Sequence, residues 1–142
     1  MTAQRGFTLF ELLIVIVLVG VAASILAIGI GKGVAQANER SALAHMVSAL
    51  RSARVQAIAT GQPVRARFDL AGRRVMAPGR APATWPRTLS VRLQTARGLG
   101  AAYVFYPDGA ASGGNVLITR GKARWRIDVS WLTGAVTLRV LP

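Results

Sequence analysis

Cysteine is absent from the 142 residues, which removes both a disulfide framework and any thiolate metal site. Histidine occurs once, at His45, so no His-cluster metal chemistry can be assembled. A lone imidazole on a helix gives no persuasive Ser/His/Asp set either. Acid is scarce: five Asp and Glu stand against eighteen Lys and Arg, and the five are scattered along the chain. The glycine-rich run at 109–114 lacks the Gly-Lys-Ser/Thr ending and the following helix of a phosphate loop, so it reads as tight turns. No metal, no cofactor and no enzymatic activity are expected.

What the chain does have is a long apolar run. Residues 12–31 carry no charge, and Ser24 is the only hydroxyl among them. As a helix, twenty residues span roughly 30 Å, about the thickness of a bilayer's hydrocarbon core. Just ahead of the run stand Gly6, Phe7, Thr8, Leu9, Phe10 and the carboxylate Glu11. A secretory signal places its small-residue cleavage site after a short apolar centre. Here Ile25 to Ile28 carry the apolar run past Ala22-Ala23-Ser24, and the small residue precedes the run instead.

This front end resembles the type III signal of type IV pilins and type II secretion pseudopilins. The resemblance implies that a prepilin peptidase cuts between Gly6 and Phe7 and that the new amino terminus on Phe7 is N-methylated. Glu11 is then the fifth residue of the mature chain and an assembly residue. A carboxylate at the edge of a bilayer core costs roughly 2–4 kcal/mol, so it is usually partnered or functional. The Phe7 α-amine, about one helical turn away, is a partner within one subunit or between neighbouring subunits, where the pair sets axial register. The bland alternative is a single-pass anchor whose Glu11 sits among headgroups. Arg5 precedes the run while Lys32 and Arg40 follow it, so charge alone does not fix orientation. The resemblance implies a leader in the cytoplasm and a C-terminal domain in the periplasm, on a single-pass anchor in the bacterial inner membrane.

Beyond the run the helix is expected to continue, weakened locally by Gly29, Gly31 and Gly33. Pilins often carry proline where Ile28 stands, and its absence leaves the local bend open. Leu43, Met46, Val47, Leu50, Ala53, Ala57 and Ile58 recur at helical spacing, while Asn38, Glu39, Arg40, Ser48, Arg51 and Arg54 mostly fall off that stripe. The pattern predicts an amphipathic helix over about 34–59, with His45 on its surface and Gly61 and Pro63 ending it. The rest alternates as short strands. Expected strands run through 64–68, 73–77, 89–93, 102–106, 115–119, 124–130 and 136–140, with 78–86 as a loop. Trp125, Ile127, Val129 and Trp131 are expected on one strand face, and Arg124, Arg126, Asp128 and Ser130 on the other.

The pattern gives the class α+β, a long N-terminal helix packed on a C-terminal domain of small antiparallel sheets, and the resemblance implies that this is a type IV pilin-like fold. The expected division is a leader at 1–6, a transmembrane and filament-core helix at 7–31, an amphipathic helix at 32–60 and a β domain at 61–142. A second resemblance is carried by Phe105-Tyr106-Pro107-Asp108-Gly109, Ser112-Gly113-Gly114 and Trp131-Leu132-Thr133-Gly134-Ala135-Val136. These residues are similar to the H-type minor pseudopilins of type II secretion, the GspH/FimT family. Residues 69–100 match no motif of it.

The resemblance implies a minor pseudopilin near the tip of the pseudopilus that supports export of folded proteins across the outer membrane. Its partners would be the prepilin peptidase, the major pseudopilin, other minor pseudopilins, the inner-membrane assembly platform and the lipid bilayer. The alternative is a FimT-type minor type IV pilin that binds DNA for uptake or primes pilus assembly. A formal charge of +13 suits nucleic acid as a partner, but equally anionic lipid, an acidic protein or a merely solvated arginine surface. DNA-binding FimT-type members are similar in carrying arginines just after the final turn glycine, whereas here Ala135, Val136 and Thr137 follow Gly134 and only Arg139 comes later. Arg120, Lys122, Arg124 and Arg126 form the candidate patch for a polyanion or another partner.

Overall fold

The computed structural model describes residues 8–142, with 27–32 described as backbone only. Helix α1 runs from Leu9 to Thr60 and contains no proline. Thr8 caps it: its Oγ1 accepts from the Glu11 N–H at 3.2 Å and its carbonyl from the Leu12 N–H at 3.2 Å. The helix passes Gly29, Gly31 and Gly33 without a break. It stops at Gly61, whose φ of 66° no β-carbon obstructs, and Pro63 bars continuation.

The chain divides into two compact units, residues 1–37 and 38–142. In the first, the Leu9–Leu26 segment has a mean hydropathy of 2.8 with none of it buried, and is long and apolar enough to cross a membrane. Its Ser24 hydroxyl donates to the Gly20 carbonyl at 2.8 Å, so the segment's one hydroxyl is satisfied within the helix.

In the second unit, eight strands form two four-stranded antiparallel sheets. They are β1 (Val64–Asp69), β2 (Arg74–Met76), β3 (Ala83–Thr84), β4 (Ser90–Thr95), β5 (Ala102–Phe105), β6 (Gly114–Arg120), β7 (Ala123–Val129) and β8 (Val136–Leu141). One sheet has the order β3-β2-β1-β5 and the other β4-β6-β7-β8. Asp69 folds the first hairpin, accepting from the Gly72 N–H and the Arg74 guanidinium, each at 2.8 Å. The helix seals the core with Leu43, Met46, Val47, Leu50, Ala53 and Ala57, joined by Ala42 and Ala49. Full burial of Met46 and Leu50 supplies about 1.5–3 kcal/mol each. Tyr103 on β5 crosses from one sheet to the other, donating its hydroxyl to the Asn115 carbonyl at 2.6 Å.

Four expectations are corrected. Ile58, expected in the periodic stripe, is 48% exposed, because it directly follows the fully buried Ala57 and is turned about 100° away from the buried face. Glu39, expected in solvent, is buried. Trp131 does not continue the face of Trp125, because β7 ends at Val129 and Trp131 stands exposed in the turn that follows. The expected loop at 78–86 contains β3, which pairs Arg74 with Thr84 and Val75 with Ala83.

Candidate functional site

The helix start holds the first candidate. Thr8 and Glu11 occupy the N-cap and third helical positions, the spacing of a capping box. An acid in this first turn also faces the positive end of the helix dipole. The Glu11 side chain is exposed along with its apolar neighbours. Gly6 and Phe7 lie outside the described residues. The Thr8 cap was legible as Thr-x-x-Glu, a signal that attention to the carboxylate alone passes over.

The arginine candidates separate by register. In β6, Val116 and Ile118 face the core, so Arg120 two residues on points the same way, toward the helix. There it forms an ion pair with Glu39, whose other carboxylate oxygen accepts from the Thr88 hydroxyl at 2.9 Å. Two helix arginines hold backbone carbonyls: Arg51 donates to Val136 O at the start of β8 at 2.9 Å, and Arg54 to Gly109 O in the turn after β5 at 3.1 Å. Lys122 is exposed in the β6–β7 turn.

Arg124 and Arg126 share the opposite, outer face of the β4-β6-β7-β8 sheet. Cross-strand pairing brings two residues to them that lie far off in the chain. Arg92 pairs with Leu117, Leu117 with Arg126, and Arg126 with Arg139, making one row across all four strands. Asp128 sits beside that row, 2.9 Å from Arg126 Nε and 3.6 Å from Arg139 Nε. The Arg126 contact is close but not aligned as a hydrogen bond, so its attraction is coulombic. The outer face thus carries Arg92, Arg124, Arg126 and Arg139, of which Arg126 and Arg139 flank the Asp128 carboxylate and Arg124 donates to the Pro142 carbonyl. Such a surface can hold an anion; it offers no nucleophile or paired acids for catalysis.

A groove of about 710 Å³ lies between the helix and the β2–β4 connection, with His45 on one wall and Trp85 on the other. Arg80 spans it, hydrogen-bonded to the Ser48 hydroxyl. Among the described residues no three His, Cys, Asp or Glu side chains come together to hold a metal.

Residues 42–134 match the family model of the type II transport protein GspH, and residues 1–29 match the prokaryotic N-terminal methylation motif. The chain is 40% identical over 137 residues to the type II secretion system protein H of Xanthomonas campestris pv. campestris, covering 93% of this chain and 81% of that one. It is 38% identical over 86 residues to the protein of the same name from Escherichia coli K12, covering 60% of this chain and 51% of the relative. In fold it is similar to the minor pseudopilin EpsH from the type 2 secretion system of Vibrio cholerae, with a TM-score of 0.56 at 15% identity, covering 73% of this chain and 96% of that one. It is similarly close to the type IV minor pilin FimU of Pseudomonas aeruginosa, with a TM-score of 0.55 at 16% identity, covering 70% and 91%. At those identities the structural likeness is one of fold.

Proposed function

The chain belongs to the GspH family of type II transport proteins, and on that premise we propose a minor pseudopilin near the tip of the pseudopilus, without enzymatic activity of its own. The observation that carries this reading is one chain joining the methylation motif and a capped apolar helix to a GspH domain. In this role the prepilin peptidase cuts between Gly6 and Phe7, and the Phe7 amine is methylated. The Leu9–Leu26 helix anchors the subunit in the inner membrane and later enters the filament core. Residues from 38 onward stand in the periplasm. Glu11 meets the Phe7 amine of its own or a neighbouring subunit and sets register. The major pseudopilin, other minor pseudopilins and the assembly platform are the partners, and Arg124 and Arg126 serve a partner surface.

A FimT-type pilin that binds DNA is the second reading, favoured by the arginine row. It has less support, because the relatives at 40% and 38% identity are both secretion proteins H, while the FimU likeness rests on fold. The deciding experiment deletes the chain and scores secreted hydrolase activity in the culture supernatant alongside DNA uptake. Lost secretion with intact uptake is expected. Intact secretion with lost uptake would overturn the proposal in favour of the DNA reading.

A further inference from the structure

Strand β8 closes its sheet, and among the described residues no strand pairs with its outer side; there the Val136 carbonyl is taken by Arg51, while the N–H and C=O groups of Leu138 and Val140 face outward. An edge strand presents unpaired N–H and C=O groups, and proteins usually blunt it with proline, a bulge, inward charge or short length. Two of the other three edges show such protection: β3 is two residues long, and β5 is covered by Ser112, whose N–H donates to Val104 O and whose hydroxyl accepts from Val104 N–H. The third, β4, is as long and as regular as β8, but its inward Val91 and Leu93 are half-buried against the core, so it lacks the exposed apolar layer of β8. β8 is six residues long, pairs without interruption from Val136 to Leu141, and contains no proline, glycine or lysine.

Its two faces differ in chemistry. On the inner face exposure rises along the strand, with Val136 buried, Leu138 42% exposed and Val140 76% exposed, so the apolar layer continues past the core that covers it. On the outer face Arg139 stands beside Arg126 at the end of the arginine row. We propose that β8 accepts an added strand from a partner protein, an extended segment in which apolar and acidic residues alternate. Its apolar residues would extend the layer of Leu138 and Val140, its acids would meet Arg139 and Arg126, and its backbone would take up the open hydrogen bonds of the edge. The alternation follows from the two-residue period of a strand. It distinguishes this occupant from nucleic acid, which would use the arginines and leave Leu138, Val140 and the edge untouched. The inference does not depend on the secretion role.

The test uses the full chain in detergent micelles and a fluorescent synthetic peptide of alternating valine and glutamate. A peptide of the same composition in block order is the control. Saturable binding is expected, with slowed amide hydrogen exchange confined to residues 136–141. Val140→Lys and Arg139→Glu should each weaken binding roughly tenfold, through lost apolar contact and reversed charge respectively. Both side chains are exposed, so neither change is expected to unfold the domain. Equal binding of the block peptide, or binding without protection of β8, would overturn the proposal. Protection of β8 that grows with protein concentration alone would replace the partner by a second copy of this chain. An oligonucleotide that binds through Arg126 and Arg139, while the alternating peptide does not bind, would give the face to nucleic acid.

Discussion

Glu39 and Tyr103 show how much of this domain rests on single polar side chains in its interior. Glu39 is buried, and Arg120 and Thr88 satisfy its two oxygens. Arg120→Ala leaves that carboxylate buried without its counter-charge. Because Arg120 is itself partly exposed, the expected destabilisation is about 2–3 kcal/mol rather than the larger cost of a fully buried pair. Thr88→Val should cost about 1 kcal/mol. Denaturant unfolding of the two variants should rank them in that order, and equal stability of Arg120→Ala and the parent would refute the assignment. Tyr103 responds to pH. Burial pushes its hydroxyl well above the usual tyrosine range. The folded state therefore favours the protonated phenol. That contribution is complete below the unfolded value of 10.0 and is lost as pH climbs above it. Stability should fall above about pH 10 in the parent, and Tyr103→Phe should show less of that fall.

Among the elements, α1 was largely legible because burial along a helix repeats every three to four residues. Leu43, Met46, Val47, Leu50, Ala53 and Ala57 announce their face by that spacing. Glu39 could not be read the same way: a charged side chain counts as outward in any periodic pattern, and only β6 and the Thr88 loop bring it partners. β3 was illegible because two residues carry no period. The arginine row was hidden for a third reason, since Arg92, Arg126 and Arg139 meet through strand register, which distant pairing sets. Glu11 stands out by its spacing, and its proposed role in assembly is testable by truncation. Glu11→Ala should still be cleaved after Gly6 yet assemble poorly, as judged by mature mass and pseudopilus incorporation. A bulky residue at Gly6 should leave the precursor uncut. Gly134 closes the final turn with φ of 61°, and a β-carbon there would lie 2.1 Å from Gly109 O and 2.9 Å from Arg54 Nε. Gly134→Ala should therefore cost about 2 kcal/mol or more and loosen the β7–β8 turn.

For the molecule as a whole, the two units imply separable solution behaviour. Residues 38–142 enclose the hydrophobic core, whereas every described side chain of 8–26 is exposed. A chain beginning at residue 38 should stay soluble without detergent and keep its β-sheet circular dichroism. The full chain should fractionate with membranes. Recovery of the full chain in the soluble fraction would contradict the anchor.

The Glu39–Arg120 pair has one more consequence, in the history of the sequence rather than its stability. Losing the arginine alone strands a buried charge, while replacing both residues by apolar side chains of similar volume can be nearly neutral. A lineage leaving this arrangement would thus cross a ridge at each single step, with a valley on the far side. Positions 39 and 120 should accordingly change together or not at all among related chains, eighty-one residues apart in sequence yet inherited as one character.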